Sequence, residues 1–313
     1  MGLSISVLSV FPLRLRLWLG RLLFRPLSRA AVRVSWHRVI KGPCNPTEVE
    51  AMQYVASHTT IPVPRVYAVH TEPNDFIYIE MAYVPGEALD EAWADLSTDQ
   101  KYSIFADLKQ HLSTLRELEP PAQGLVSSAL QNPAYDCRIG NRFFGPITHD
   151  EFHSLARARA PLDVVASMFG EEIAEMHTRR YQTHFAHADL CPRNIIVRGG
   201  RVATTLDWAF AGWYPEYWDF TRAHYNLFYD QGRWEEYLRL VMPCYEMELR
   251  AERILWDGLP EPGTTRYWYR NGVEGKTEGS APAASWLQTR ARRQLAVPDL
   301  WTLALRREHY VVE

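Results

Sequence analysis

One stretch of the chain, residues 187–207, limits the possible folds more than any other. Residues 187–194 read His-Ala-Asp-Leu-Cys-Pro-Arg-Asn, and Asp207 follows after an apolar stretch. The residue pattern predicts strands over 194–197 and 202–206, and Gly199-Gly200 between them suits a tight hairpin turn. A hairpin brings its two ends together, so the polar block and Asp207 should lie side by side.

The polar residues of this stretch have the types and the order that phosphoryl transfer requires. One carboxylate must orient the attacking hydroxyl, and a second carboxylate with an amide oxygen must hold Mg²⁺ against the phosphates. Asp189 and Asn194 have the Asp-x-x-x-x-Asn spacing of the kinase solution, and Asp207 stands at the end of the next hairpin. The three residues, their order and their strand context together favour this site.

Each residue of the block also has a plainer interpretation. Asp189 in a loop could cap backbone amides of a turn. His187 could be a core histidine, and Cys191 a small packed residue rather than a nucleophile. Arg193 could contact a phosphate or face solvent. Only the combination of residues favours a catalytic site over these alternatives.

Composition excludes several other classes of protein. The 313 residues carry 34 basic and 37 acidic side chains, a net charge of −3, which argues against nucleic-acid binding by bulk electrostatics. The four cysteines lie far apart, and no Cys/His spacing suits a structural zinc site. We therefore expect no nucleic-acid partner.

Local patterns predict a small lobe over residues 31–84. A strand is expected over 31–40, ending at Lys41, and a helix over 48–58 with Thr47 as its N-cap. Two further strands are expected over 65–70 and 76–83, joined by a turn at 73–75.

A larger helical lobe is predicted over residues 85–256. Ser97 and Gln100 form a capping-box pattern before a helix that reaches about residue 118. The patterns then predict a long loop over 122–148, helices over 163–179 and 235–246, and a strand over 184–186. Residues 257–313 are expected to be a loosely ordered extension with at most a short helix near 286–295.

The chain resembles the aminoglycoside phosphotransferase and choline kinase superfamily, which shares the protein-kinase-like fold. It is most similar to the fungal phosphotransferase-like proteins of that superfamily. The resemblance covers residues 31–245, and the motifs that carry it are 61–67, 83–86 with Trp93, 187–197 and 206–219. It implies an α+β, two-lobed fold with a shortened N-terminal strand lobe and a larger helical C-terminal lobe.

The family's motifs imply a role for each matched residue. Asp189 matches the catalytic aspartate, and Asn194 and Asp207 match the Mg²⁺ ligands. Lys41 matches the strand lysine that contacts the α- and β-phosphates, and Glu48 matches the glutamate that pairs with this lysine.

Further matches are less specific. The hinge that binds the adenine edge of ATP would be formed by backbone atoms of Ala82 and Val84. Glu50 is the weaker candidate for pairing with the strand lysine, and Asp219 matches an acid that is structural in the family.

The resemblance implies an ATP- and Mg²⁺-dependent transfer of the γ-phosphate to a hydroxyl of a small molecule. The chain departs from the family in having Ala188 in place of the usual glycine and no Gly-rich loop before Lys41. The shortened nucleotide lobe leaves open an alternative, a kinase-like nucleotide-binding protein with weak or no turnover.

Aromatic residues crowd the segment after Asp207. They could form a box that binds a cation, although core packing is the favoured interpretation. The residues are Trp208, Trp213, Tyr214, Tyr217 and Trp218.

Residues 1–30 form a basic amphipathic segment, since the first 47 residues contain no Asp or Glu. The segment resembles a mitochondrial targeting peptide, and it also suits a helix lying on an anionic membrane surface. The spread of its leucines favours a third interpretation, a helix packed on the small lobe. We expect a cytoplasmic protein, with mitochondrial or membrane-peripheral localisation as the alternatives.

Overall fold

The computed structural model describes residues 11–24, 27–28, 30–71, 77–139, 142–225, 231–258, 265–270 and 273–278. The helices are α1 Leu13–Leu23, α2 Pro46–His58, α3 Leu89–Ala92, α4 Thr98–Arg116, α5 His149–Ala156, α6 Leu162–Phe169, α7 Glu171–Thr178, α8 Trp218–Tyr225, α9 Gln231–Val241 and α10 Glu246–Gly258. The strands are β1 Ala31–Ser35, β2 Arg38–Lys41, β3 Val66–Thr71, β4 Ile77–Ala82, β5 Glu87–Ala88, β6 Leu125–Ser128, β7 Ala134–Asp136, β8 Arg142–Phe144, β9 Ile147–Thr148, β10 Thr183–Ala186, β11 Ile195–Arg198, β12 Arg201–Thr205, β13 Gly212–Pro215, β14 Thr265–Arg270 and β15 Val273–Glu278.

The small lobe is an antiparallel sheet of order β1-β2-β4-β3 with α2 packed on it. The single strand predicted over 31–40 is wrong, because the chain reverses there into the hairpin β1–β2. The Arg33 guanidinium stabilises the reversal by donating to the carbonyl oxygens of Ser35 (3.2 Å) and Trp36 (3.1 Å). The strands predicted over 65–70 and 76–83 are confirmed as β3 and β4, and their predicted turn lies outside the described residues.

Helix α2 begins earlier than predicted. Asn45 is its N-cap and Pro46 its first residue, a position at which the missing N–H of proline costs no hydrogen bond. The predicted cap, Thr47, instead donates its hydroxyl to the carbonyl oxygen of Ala209 in the larger lobe, at 2.7 Å. A residue that looks like a local cap therefore makes a contact between the lobes.

In the larger lobe, the capping box before α4 is confirmed. Ser97 Oγ accepts from the Gln100 backbone N–H at 3.3 Å, and Gln100 Oε1 accepts from the Ser97 N–H at 2.9 Å. The hairpin predicted around Gly199-Gly200 is also confirmed as β11–β12, and both glycines have positive φ.

Three predictions for the larger lobe are wrong. The loop predicted over 122–148 contains β6 to β9, because β6 pairs with the distant strand β13 and this pairing has no local signal. The single helix predicted over 163–179 is two helices, since Gly170 adopts a φ of +106° between α6 and α7. The helix predicted over 235–246 spans the end of α9 and the first residue of α10.

Helix α1 packs on one face of the small sheet. Its residues Leu13 and Leu17 contact the cluster of Val32, Val34 and Ile40. Of the three interpretations of the N-terminal segment, a helix packed on the small lobe is the one that agrees with the position of α1.

The contact between α1 and the sheet includes a buried ion pair. Arg16 donates to both carboxylate oxygens of Glu80, at 2.9 and 2.8 Å, and both side chains are buried. Glu80 also accepts from Arg38 at 2.7 Å and pairs with His70 at 2.9 Å. Burial alone would raise the pKa of Glu80, but the hydrogen bonds from these three partners hold it well below its usual range.

Little of the predicted C-terminal extension is described. Within it β14 and β15 form an antiparallel pair, and the short helix predicted near 286–295 lies outside the described residues. None of the described helices combines the length and the apolar character that crossing a bilayer requires.

A pair of stacked histidines joins α5 to α7 in the core of the larger lobe. The rings of His153 and His177 lie 4.9 Å apart at 8°. His153 Nδ1 donates to the His177 carbonyl at 3.2 Å, while its Nε2 has no partner among the described residues. Burial lowers the pKa of His153 to about 3 and that of His177 far below its usual value. His149, Arg157 and Arg138 add to the effect through their positive charges.

The pair predicts acid sensitivity. A histidine whose pKa is lower in the folded than in the unfolded state stabilises the fold above pH 6.5 and loses this contribution as pH falls toward about 3. Between about pH 7.5 and pH 5, His153 alone should account for a loss of about 2 kcal/mol in the free energy of unfolding. His153→Phe should remove this loss, measured by urea unfolding at both pH values. A His153→Phe protein with the same pH dependence of unfolding as wild type would contradict the prediction.

Candidate active site

Lys41 joins the two lobes at the floor of the cleft between them. Its Nζ lies 2.6 Å from Glu48 Oε1 on α2 and 3.0 Å from Asp207 Oδ1 after β12. Burial opposes its charged form, but the two carboxylates outweigh burial and raise the pKa of Lys41. Lys41 therefore contacts Glu48, the partner that the family motif implies, and also Asp207, and the lysine is charged.

The loop between β10 and β11 holds Asp189 and Asn194 together. The Asn194 amide donates both to the backbone oxygen of Asp189 and to Asp189 Oδ2, each at 2.9 Å. The backbone oxygen of Asn194 accepts from the Leu206 N–H at 2.7 Å. This bond places the loop beside the residue that follows Leu206, which is Asp207.

His187 connects the same two segments from within the core. Its Nδ1 accepts from the Asp189 backbone N–H at 3.2 Å, so its Nε2 carries the proton and donates to the Leu206 carbonyl at 3.1 Å. Its ring lies 4.5 Å from that of Trp208, and burial lowers its pKa to about 4. His187 is therefore a neutral histidine that positions the loop, which agrees with the plainer interpretation of this residue.

Asp189 itself is buried, and burial raises the pKa of its carboxyl to about 6. Arg222 and Arg193 oppose this shift, and Arg193 Nη2 lies 3.6 Å from Asp189 Oδ2. Arg222 is itself buried and pairs through Nε with Asp136 Oδ2 at 3.0 Å. Two guanidinium groups therefore favour the charged form of the Asp189 carboxyl, the exposed Arg193 and the buried Arg222.

Strained backbone occurs in this loop and at Asp207 beside it. Ala188 and Asp207 have φ values of 58° and 63°, a region that costs a residue with a side chain about 1–2 kcal/mol. Asp219 supports the strained peptide, because its Oδ1 accepts from the Ala188 N–H at 2.8 Å. The replacement of the family's usual glycine at 188 thus falls at a position where glycine would be unstrained.

The cleft between the lobes has a volume of about 480 Å³. All the predicted site residues except Asp189 line it, and Asp189 lies directly behind Asn194. The residues that line the cleft include Leu27, Ser28, Lys41, Ala82, Val84, Glu87, Asp90, Glu91, Arg193, Asn194 and Asp207.

Helix α2 is fixed to the larger lobe by a contact that the sequence analysis missed. Glu50 is fully buried and accepts hydrogen bonds from Ser128 Oγ, the Leu130 N–H and Asn132 Nδ2. Lys41 contacts Glu48 and Asp207 instead, so the position of Glu50 agrees with the expectation that it is the weaker candidate for pairing with the lysine. A second glutamate on a helix next to a lysine carries no sequence signal for a contact about 80 residues away.

Residues just before β1 reach the cleft where no Gly-rich loop is available. Leu27 and Ser28 line it, and Ser28 Oγ accepts from the backbone N–H groups of Ala30 (3.2 Å) and Ala31 (3.0 Å). The N-terminal segment thus contributes to the wall of the cleft next to Lys41.

The aromatic residues after Asp207 are part of the core. All five have at most 1% of their surface exposed, which supports packing rather than a cation box. They are Trp208, Trp213, Tyr214, Tyr217 and Trp218.

Comparison with known proteins agrees with this geometry. The family model described as "Phosphotransferase enzyme family" matches residues 45–259, more than half of the chain. The chain belongs to this phosphotransferase family. The superfamily predicted from the motifs is thereby confirmed, and the observed elements have the predicted α+β, two-lobed organisation. The narrower resemblance to the fungal members stays a prediction.

Several solved structures of phosphotransferases are similar to this family member at low identity. A thermostable mutant of aminoglycoside phosphotransferase APH(4)-Ia in its apo form is 15% identical, with 72% of this chain and 79% of that chain covered and a TM-score of 0.47. The gentamicin complex of APH(2″)-IIa is 16% identical, with 78% and 84% covered and a TM-score of 0.47. The GDP complex of wild-type aminoglycoside 2′-phosphotransferase-IIIa is 12% identical, with 72% and 77% covered and a TM-score of 0.49. No curated protein matches the chain.

Proposed function

We propose that the protein transfers the γ-phosphate of ATP to a hydroxyl group of a small molecule, with Mg²⁺ as the metal. The observation that carries the proposal is the contact of Lys41 with both Glu48 and Asp207 in the cleft where Asn194 holds Asp189. Phosphoryl transfer depends on positioning and on charge stabilisation, and the proposal is supported by an ammonium group, two carboxylates and an amide in one connected network.

The cleft suits a nucleotide. Adenine would lie against Ala82 and Val84, where β4 leads into the larger lobe, and the phosphates would extend toward Lys41. The ammonium group of Lys41 is a compact charge that reaches phosphate oxygens without a fixed geometry. Its pairing with Glu48 keeps it pointed into the cleft before a nucleotide binds.

The donor set suits Mg²⁺. Asn194 uses its amide hydrogens on Asp189, which leaves its Oδ1 as a metal ligand. The side chain of Asp207 is 40% exposed, with Oδ1 held by Lys41. Mg²⁺ prefers a few protein oxygens together with phosphate oxygens and water, and when bound here it would neutralise charge on the phosphates.

In the proposed reaction Asp189 accepts the proton of the acceptor hydroxyl. A bond forms between that oxygen and the γ-phosphorus, and the bond to the bridging oxygen of ADP breaks in line with it. Lys41 stays on the remaining phosphates of ADP. Arg193, half exposed beside Asp189, faces the position of the transferred group and contributes positive charge there.

One observation favours the alternative of a nucleotide-binding protein with weak turnover. The sequence has no Gly-rich loop before Lys41, and among the described residues of the N-terminal segment Leu27 and Ser28 line the cleft. Weak enclosure of the triphosphate would lower the turnover number more than nucleotide affinity.

A panel of small hydroxyl compounds tests both functions. Purified full-length protein is incubated with Mg²⁺·ATP and each compound, and ADP release is compared with the rate without acceptor. We expect at least one acceptor class to raise ADP release. Nucleotide binding without stimulation by any class would favour the alternative, and absence of nucleotide binding would contradict both.

Asp207→Ala should abolish the Mg²⁺-dependent part of nucleotide binding while the protein stays folded. Wild-type protein should be stabilised by Mg²⁺·ATP in a thermal shift assay, because a ligand that binds only the folded state raises the melting temperature. The variant should show no such shift. Glu91→Ala, which removes an exposed carboxylate from the same cleft, should keep it. An equal shift in Asp207→Ala and wild type would contradict the metal assignment.

A further inference from the structure

Helix α1 carries apolar residues on both sides, because Leu13 and Leu17 pack on the sheet while other apolar side chains face solvent. The side that rests on the sheet holds Arg16 and Gly20, both buried. The opposite side presents Leu15, Trp18 and Leu22 to solvent, and Trp18 and Leu22 are 59% and 67% exposed. A surface helix normally turns its apolar residues inward, so an outward apolar face needs a reason.

Two contacts fix this orientation. Arg16 is paired with the buried Glu80 at 2.8 Å, and rotating the helix would leave the buried Arg16 charge without this partner. Gly20 lies so close to β1 that a Cβ there would be 2.5 Å from the Arg33 carbonyl oxygen, so no larger residue fits. The apolar face is therefore held outward by the packing of the inner face.

The outward apolar surface extends beyond α1. Phe24 follows the helix, and its ring meets that of Trp36 edge to face at 5.8 Å. Trp36, in the turn between β1 and β2, is 73% exposed. Five exposed apolar residues make up this surface, called the outer face: Leu15, Trp18, Leu22, Leu23 and Trp36.

The segment that carries the outer face is basic. Arg14 and Arg21 are exposed on α1, and no Asp or Glu occurs in the first 47 residues. A second copy that docked through the same segment would bring arginines against arginines, because the segment itself supplies no carboxylate. An anionic lipid surface, in contrast, offers apolar depth for the side chains and negative charge for the arginines. Tryptophan is also the side chain that prefers the boundary between lipid and water.

We propose that the outer face is a docking surface for an anionic membrane, on which α1 lies flat and carries the protein as a peripheral membrane protein. This inference does not depend on the proposed phosphotransfer, since it rests on the side of the small sheet that α1 covers. It does place the cleft near the lipid surface, because Leu27 and Ser28 follow α1 and line the cleft.

Vesicle co-sedimentation of the full-length protein tests the proposal. The probes are vesicles of phosphatidylcholine alone and vesicles in which about a third of the lipid is phosphatidylserine. We expect the anionic vesicles to bind at least about tenfold more tightly, with the difference shrinking as salt is raised. The variant Trp18→Glu/Leu22→Glu should lose at least about tenfold of that binding.

A matched control uses exposed apolar residues elsewhere. Tyr102 and Leu240 are 69% and 60% exposed, so Tyr102→Glu/Leu240→Glu adds the same charge away from the outer face and should bind vesicles like wild type. Melting temperatures of both variants are compared with wild type, to confirm that neither change unfolds the protein.

Several outcomes would overturn the proposal. No preference of wild type for anionic vesicles would do so, as would an equal loss of binding in the control variant. Light scattering gives a further outcome, because a wild-type dimer that Trp18→Glu/Leu22→Glu converts to a monomer would assign the outer face to a second copy.

Discussion

Asp189→Asn should lower the turnover number by at least about a hundredfold while nucleotide affinity stays within about twofold of wild type. Asparagine fills the same space and can still accept the hydrogen bond from the Asn194 amide. It cannot take the proton of the attacking hydroxyl, so only the chemical step should suffer. ADP release gives the turnover number, and calorimetric titration with Mg²⁺·ATP gives the affinity.

A carboxylate in the same cleft provides the control for this experiment. Asp90 is exposed on α3, lines the cleft and uses its carboxylate on the Glu91 backbone N–H, so Asp90→Asn should turn over at close to the wild-type rate. Unchanged turnover in Asp189→Asn would assign the proton to another group. A joint loss of turnover and nucleotide affinity would show that Asp189 holds the loop rather than acting on the hydroxyl.

Glu80→Gln should destabilise the folded protein by about 3–5 kcal/mol, because it leaves the buried Arg16 without a counter-charge. Arg16→Met should cost less, under about 2 kcal/mol, since Glu80 keeps its contacts with Arg38 and His70 at 2.7 and 2.9 Å. The asymmetry follows from the count of partners, three for the glutamate and one for Arg16.

Urea unfolding of the three proteins near neutral pH measures both effects. Equal losses in the free energy of unfolding for Glu80→Gln and Arg16→Met would contradict the asymmetry, because removing either partner would then cost the same. A Glu80→Gln protein as stable as wild type would show that α1 is held by its apolar contacts alone.

The candidate site could be predicted largely because its parts are close in sequence. Asp189 and Asn194 lie in one loop, and the hairpin that follows returns the chain to Asp207, so local turn chemistry brings the three together. Lys41 and Glu48 are also near neighbours along the chain. The roles of Lys41 and Glu48, their pairing and their meeting with the loop residues across the cleft required the family resemblance.

The features that sequence reasoning missed depend on distant contacts or on one backbone angle. The strand β6 exists because β13 pairs with it, and neither sequence reveals the other. The helical pattern of 163–179 is continuous in side chains, yet Gly170 ends α6 through its backbone alone. The hairpin within 31–40 was missed because Arg33 stabilises the turn through its side chain rather than through turn residues.

The attachment of α2 to the larger lobe bears on how the protein would be controlled in a cell. Thr47 and Glu50 tie this helix to Ala209 and to the turn after β6, and moving it outward would strand several buried hydrogen-bonding groups. The helix that presents Glu48 is thus held against the larger lobe, and any control that acted by moving α2 away from Lys41 would first have to break these bonds.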